Sequence, residues 1–261
     1  MLIVGELING MYKKVGEAIR LKDQKFIQEL ALKQVDNGAT ALDLNCGPLS
    51  KDPVSDMRWL VETVQNATPA ILCLDSTKLK AIEEGLKISK NKTMINSANA
   101  EEDKLKALIP MASNFDSLLI ALAMDKKGIP QNKDQRIELA AKILESAVNM
   151  NFDIQNLYLD PVLMPINVAQ GQEKEILESL REFKLLAEPP VKTIIGLSNV
   201  SQGAKLRGLI NRTFLVMAVS LSLDAAILDP LDRELIGSLT CAELILNKHI
   251  YCDSFLNTYK K

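Results

Sequence analysis

The chain's 261 residues, 47% hydrophobic and 25% charged, have the make-up of an ordinary soluble globular protein. A net charge of -2 with no Lys/Arg cluster argues against a nucleic-acid-binding surface. No apolar run approaches the ~20 residues that a membrane helix needs, so the expected address is the cytoplasm.

In chain order, the first apolar run, 2–9 (LIVGELIN), reads as a strand, because the start MLIVGELING lacks the basic region and cleavage site of a signal peptide. A long loop over 9–23 follows, then a helix carrying Phe26 and Leu30 that ends at Gly38 as a C-cap. The run 40–45 (TALDLN) is the second strand, and Asp52-Pro53 starts a helix with Met57, Leu60, Val61 and Val64 on one face. Strand 70–75 (AILCLD) leads to a helix over 77–90, with the Thr77 hydroxyl as its candidate N-cap. Strand 92–96 (KTMIN) precedes a helix over 101–112, and strand 117–125 precedes the longest periodic helix, 134–150. Strand 155–160 (QNLYLD) is followed by a second long loop, 161–172, and a helix over 174–187. Strand 193–199 with helix 203–223, and strand 225–229 with helix 233–247, complete the series.

Strand then helix, eight times, predicts an α/β fold: a single (β/α)8 TIM barrel over residues 1–261, near the ~250 residues such barrels occupy. Its chemistry belongs at the C-terminal strand ends. The predicted ends carry Asn9, Asn45, Asp75, Asn96, Asp125, Asp160, Asn199 and Asp229. A ring of acids and amides suits a flat heterocycle with many hydrogen-bonding edges. The single histidine, His249, follows the last predicted helix, which all but excludes Ser–His, Cys–His and His-rich zinc chemistry. Cys46, Cys73, Cys241 and Cys252 show no paired spacing and read as buried, reduced thiols.

Asp75, Asn96 and Asp160 are the leading candidates. An ionised carboxylate accepts two parallel N–H bonds from an amino-pyrimidine edge such as a pterin's, and an amide adds one donor and one acceptor. Strand-end Asp and Asn also cap following helices, which is the competing use. The segment 196–203 (GLSNVSQG) places a small polar cluster at the top of strand seven, where barrels often hold an anion. Arg207, four residues after Gly203, falls one helical turn above it, either bridging the rim or holding an acidic or aromatic ligand tail. In the loop 161–172, Val162, Leu163, Met164 and Ile166 either offer a surface to a protein or cofactor or pack back on the rim.

INSANAE (95–101), YLDPV (158–162) and GLSNVSQG (196–203) resemble the pterin-binding methyltransferases. That group includes the folate domain of cobalamin-dependent methionine synthase and the methyltetrahydrofolate:corrinoid/iron–sulfur protein methyltransferases, and the single-barrel length suits the latter. The resemblance implies a pterin in the barrel mouth, with Asp75, Asn96 and Asp160 at the family's pterin-binding positions. It places Asn199 at the methyl-bearing ring nitrogen, Gln202 and Gly203 where folate meets the corrinoid, and Arg207 among the folate-binding residues. The implied reaction moves the methyl of methyltetrahydrofolate to a cobalt(I) corrinoid on a partner corrinoid/iron–sulfur protein, in the Wood–Ljungdahl pathway. No cofactor or metal is then held tightly by this chain, because a cobalamin-binding Asp-Xaa-His-Xaa-Xaa-Gly motif is absent. A homodimer is also implied. With no histidine at hand, help for the leaving nitrogen falls to Asn199, a nearby acid or water; an amide does not titrate, so Asn199 acts by hydrogen bonding in the transition state. Asp75 and Asp160 are assigned to orientation.

Dihydropteroate synthase shares the barrel and pocket, but this chain has Ile8-Asn9-Gly10-Met11 and Ser198-Asn199-Val200 in place of that family's loop and Ser-Arg-Lys element. Two further alternatives are a metal-dependent aldolase-type barrel with Asp75, Asp160 and Asp229 as ligands, and a non-catalytic assembly subunit.

Overall fold

The computed structural model describes residues 1–252. Eight parallel strands close in sequence order into a barrel: β1 (Leu2–Gly5), β2 (Ala41–Asn45), β3 (Ile71–Asp75), β4 (Thr93–Asn99), β5 (Leu118–Leu122), β6 (Leu157–Asp160), β7 (Lys192–Gly196) and β8 (Ala225–Leu228), with β8 returning to β1. Around them lie α1 (Lys13–Leu21), α2 (Gln24–Asp36), α3 (Pro53–Gln65), α4 (Leu79–Ile88), α5 (Glu102–Asn114), α6 (Lys133–Asn149), α7 (Gln172–Phe183), α8 (Arg207–Ser220) and α9 (Arg233–Ile245). The (β/α)8 expectation holds. Several helices start at a side-chain cap: Asp52 accepts from Ser55 N ahead of Pro53, Asn132 from Gln135 N, and Asp232 from Glu234 N and Leu235 N. Gly38, at φ +98, closes α2 in a backbone conformation that a side chain would strain.

Several boundaries differ from the sequence expectation. The stretch 9–23 is not a loop: it contains α1, whose Val15, Ala18 and Ile19 are buried at helical spacing. β1 stops at Gly5, so Glu6 rather than Asn9 stands at its end. Asn96 does not end β4. The strand continues to Asn99, and its register against β5 shifts between Ile95 and Ala98, a bulge that sets Asn96 and Ser97 off that ladder. β7 ends at Gly196, and Asn199 lies in a 3-10 turn, Leu197–Ser201. α8 begins at Arg207 and not at Gly203. Thr77 does not cap α4; the Ser76 hydroxyl accepts Lys78 N instead, and the N-cap, Lys78, makes no side-chain bond.

Two apolar bodies result. The larger lies between the strands and the helices, and the smaller fills the barrel with Val4, Ala41, Cys73, Met94, Ile120, Tyr158, Ile194 and Ala225 among its members. Because side chains alternate along a strand, these interior positions fix what stands above them at the mouth. Two residues past Val4 is Glu6; two past Ala41 is Asp43, then Asn45. Two past Cys73 is Asp75, two past Met94 is Asn96, and two past Tyr158 is Asp160. The polar ring is therefore a consequence of register.

Candidate active site at the barrel mouth

Across β2, β3 and β4 the mouth carries two amide–acid pairs, and Asp160 ends β6. Asn45 Nδ2 donates to Asp75 Oδ2 at 2.5 Å, and Asn96 Nδ2 donates to Asp43 Oδ1 at 3.1 Å. Asn45 is itself held, its Oδ1 accepting Gly47 N at 2.7 Å. Asp160, buried, accepts Val162 N at 2.7 Å on Oδ1. The structure thus brings together Asp75 and Asn96 as expected and adds Asp43, which sequence reasoning passed over. Its signal was the acid inside the apolar run ALDLN, two residues before Asn45 and so on the same face.

Burial sets the electrostatics. It raises the Asp43 carboxyl well above its ordinary range, assisted by the neighbouring Asp75 charge and opposed by the Asn96 bond. Asp75 is also raised by burial, with the Asn45 bond opposing. Asp160 is pushed up to about 7 by burial, against the Val162 bond. Such acids lose water without gaining full compensation. A flat ligand edge rich in N–H donors would supply the missing partners and return the carboxyls to their charged form.

The loop 161–172 is tied down at both ends by Arg136 of α6, which sequence reasoning also missed. This fully buried guanidinium donates from Nε to Pro161 O at 2.9 Å and from Nη2 to Gln172 Oε1 at 2.9 Å. Asp160 is the residue before Pro161, so its backbone is braced. Leu163 is buried and Val162, Met164 and Ile166 are half-buried, so these four pack back on the rim, whereas Val168 is exposed. Ile166 N donates to Val200 O at 2.9 Å, which docks the loop on the turn after β7.

That turn forms the second half of the mouth, with β8 and β1. Ser198 Oγ donates to Glu6 Oε1 at 2.7 Å. Arg207 neither stacks a turn above Gly203 nor pairs with a rim acid; it donates from Nε to Ser201 Oγ at 3.1 Å and from Nη2 to Ser198 O at 3.3 Å, bracing the turn. Asn199 is exposed, and its amide lies over Gly196, where a Cβ would sit 2.9 Å from Nδ2. Gln202 and Gly203 are exposed at the rim, and Gly203 has φ +74.

Not every residue of the expected ring serves the pocket. Asn9 Oδ1 accepts Met11 N at 2.9 Å and Asp125 Oδ1 accepts Lys127 N at 2.8 Å, so both shape their own turns. Asp75, Asp160 and Asp229 do not form a metal site: among the described residues no three His, Cys, Asp or Glu side chains converge as ligands. Of the cysteines only Cys73 is buried; Cys46 is partly covered, and Cys241 and Cys252 are exposed, contrary to expectation. His249 lies 3.5 Å from Glu243, which also binds the Met1 amine at the opposite end of the barrel.

A methylcorrinoid:tetrahydrofolate methyltransferase of Eubacterium limosum is 27% identical, covering 100% of this chain and 97% of that protein. A methionine synthase of Mycobacterium tuberculosis is 28% identical over 87% of this chain, which spans only 20% of that larger protein. Among solved structures, dihydropteroate synthases of Coxiella burnetii and Yersinia pestis superpose with TM-scores of 0.68 and 0.65. At 14% and 16% identity, covering 95% and 94% of this chain and 94% and 93% of theirs, they establish the fold alone. The family model described as pterin binding enzyme matches residues 7–229, from just beyond the end of β1 to the residue after β8, and the chain belongs to that family.

Proposed function

We propose that the protein transfers a methyl group between the N5 of a tetrahydrofolate and the cobalt of a corrinoid carried by a partner protein. The observation that carries this reading is the end-to-end similarity to a methylcorrinoid:tetrahydrofolate methyltransferase, combined with a mouth built from Asp75, Asn96 and Asp160. The amino-pyrimidine edge of the pterin meets those three groups, which fixes the ring and spares the reaction its orientational entropy. Asn199 stands at the opposite side, over Gly196, where it hydrogen-bonds the methyl-bearing nitrogen. One transition state serves both directions, so the site that methylates cobalt(I) from methyltetrahydrofolate also methylates tetrahydrofolate from methylcobalt.

The partner is a corrinoid/iron–sulfur protein, and the reaction belongs to the Wood–Ljungdahl pathway of the cytoplasm. A partner over the mouth is supported by the exposed apolar residues Met11, Tyr12, Leu49, Val168 and Leu206, all on loops that follow strands. Gln202 and Gly203 lie on that rim and face the corrinoid. A homodimer is supported by α8, whose exposed Leu209, Thr213, Val216, Met217 and Ser220 make an uncharged stripe; a stable monomer in sedimentation at micromolar protein would count against it.

The direct test mixes the protein with methyltetrahydrofolate and reduced cobalt(I) corrinoid and follows conversion to methylcobalt by absorbance. Protein-dependent conversion is expected, and it persists in the presence of a chelator. Wild-type protein that binds folate but leaves the cobalt(I) spectrum unchanged would overturn the assignment.

A further inference from the structure

We propose that the Glu6 carboxyl exchanges the proton of the methyl-bearing ring nitrogen during transfer, held beside Asn199 by the Ser198 hydroxyl; this rests on the methyl-transfer reading above. The register of β1 sends Leu2 and Val4 into the barrel and thereby Glu6 to the mouth, and Glu6 N anchors to Leu228 O at 3.1 Å. Ser198, whose hydroxyl lies 2.7 Å from Glu6 Oε1, is the chain neighbour of Asn199. The acid and the amide therefore rise from one corner of the mouth, where β7, β8 and β1 meet.

What separates Glu6 from the other mouth acids is the kind of partner each one has. Asp43 accepts an N–H from Asn96 and also meets the Cys73 thiol, a weak donor and weak acceptor; Asp75 accepts an N–H from Asn45, Asp160 from Val162 and Asp229 from Leu231. An N–H only donates, so each of those bonds favours the charged acid. The partner of Glu6 is a hydroxyl, which donates to a carboxylate and accepts from a carboxylic acid with equal ease. Glu6 can change protonation state without stranding its neighbour, and the hydroxyl can rotate to pass a proton on. Burial raises the Glu6 carboxyl and the Asp229 charge adds to that, while the Ser198 bond and Arg207 oppose it. Tyr12 and Asp43 also face it electrostatically.

The step balances. As cobalt(I) takes the methyl with its own electron pair, the N5–CH3 bond breaks, its pair stays on nitrogen, and the Glu6 proton moves to that nitrogen. In reverse, nitrogen attacks the methyl of methylcobalt, cobalt(I) leaves with the pair, and Glu6 as carboxylate takes the N5 proton. Proton transfer by a positioned acid or base contributes about 10²–10⁴ in rate.

The test is the full-length Glu6→Gln variant, which keeps the Ser198 acceptor and removes the proton. Folate affinity, by quenching of pterin fluorescence, should stay within about twofold, while single-turnover transfer falls by about 10²–10³ in both directions. In the wild type, transfer to cobalt(I) should slow as pH rises through the Glu6 titration and the reverse transfer should quicken; both dependences should vanish in Glu6→Gln, and Glu6→Asp should restore part of the rate. A Glu6→Gln enzyme within threefold of wild type with an unchanged pH profile overturns the proposal while leaving methyl transfer intact. Parallel loss of folate binding and rate also overturns it, since Glu6 would then be building the pocket. A wild type that moves no methyl overturns the underlying reading and this one with it.

Discussion

Asp160→Asn should make the empty protein more stable while weakening its grip on folate. Burial lifts the Asp160 carboxyl from 3.8 to about 7. Between those values the folded chain holds a proton that the unfolded chain releases, so stability falls as pH rises through that window. Each pH unit is worth about 1.4 kcal/mol, which brings the cost of the charged acid to about 4 kcal/mol once pH passes about 7. Asparagine is permanently neutral, nearly isosteric, and keeps an oxygen for the Val162 N–H that Asp160 accepts at 2.7 Å. Its advantage over the wild type should therefore be small near about pH 4, grow with pH, and level off at about 4 kcal/mol by about pH 8. Urea unfolding of both proteins across that range measures the difference directly, and the subtraction cancels the other raised acids. Folate affinity should meanwhile fall by about 1–3 kcal/mol, because the amide cannot accept the two N–H bonds that the carboxylate accepts. A stability difference that does not vary with pH, or a variant less stable throughout, would refute the reasoning.

The other predictions concern the same mouth. Asp75→Ala and Asn96→Ala should each cost about 1–3 kcal/mol of folate affinity in a fluorescence titration, because Asn45 and Asp43 lose their partners as well as the ligand; wild-type affinity in both would remove them from the pocket. Asn199→Ala should slow single-turnover transfer by about 10²–10³ with a smaller change in binding; loss of binding with an unchanged rate at saturating folate would make it a ring clamp. Gly10→Ala should lower stability by about 1–3 kcal/mol, since a Cβ at Gly10 would stand 2.2 Å from the backbone oxygen of Cys46 and the loops after β1 and β2 meet there; a denaturation midpoint equal to wild type would show that the loops part freely.

The barrel was legible because its strands are short apolar runs bounded by polar residues, and each helix keeps one buried face. The mouth acids were legible where a strand stops at them, as β3 does at Asp75 and β6 at Asp160. Legibility failed where local pattern and tertiary pairing disagree. LIVGELIN reads as one strand, yet the ladder breaks after Gly5: Leu7 N turns to Gln34 Oε1 at 3.0 Å, and the chain meets β2 again only at the Asn9–Asn45 bridge. That early stop hid Glu6. Asp43 was hidden by sitting inside an apolar run, Arg136 by lying on a helix far along the chain, and the β4 bulge by leaving no mark in KTMIN. The 3-10 turn after β7 looks extended in sequence, so Asn199 was read as strand.

The histidine-poor composition acquires a structural meaning from these acids. Moving a methyl off a tertiary nitrogen requires that nitrogen to gain a proton or a strong hydrogen bond as the bond breaks, and the usual neutral-pH donor is imidazole. Here the only histidine sits at the far end of the barrel beside Glu243. The mouth instead holds carboxyls whose ordinary range is far too acidic, and burial moves them upward: Asp43, Asp75, Asp160, Glu6 and Asp229 are all raised, each first by desolvation. One physical cause thus prepares two uses. From β2 to β6 the partners are chiefly N–H donors, so in the proposed folate site a ligand edge would complete the charged form of the raised acids. In the half formed by β7, β8 and β1 the hydroxyl of Ser198 leaves Glu6 free to hold or release a proton. The cost of both is paid in the empty state, which is why neutralising Asp160 should stabilise the protein whose grip on folate it weakens.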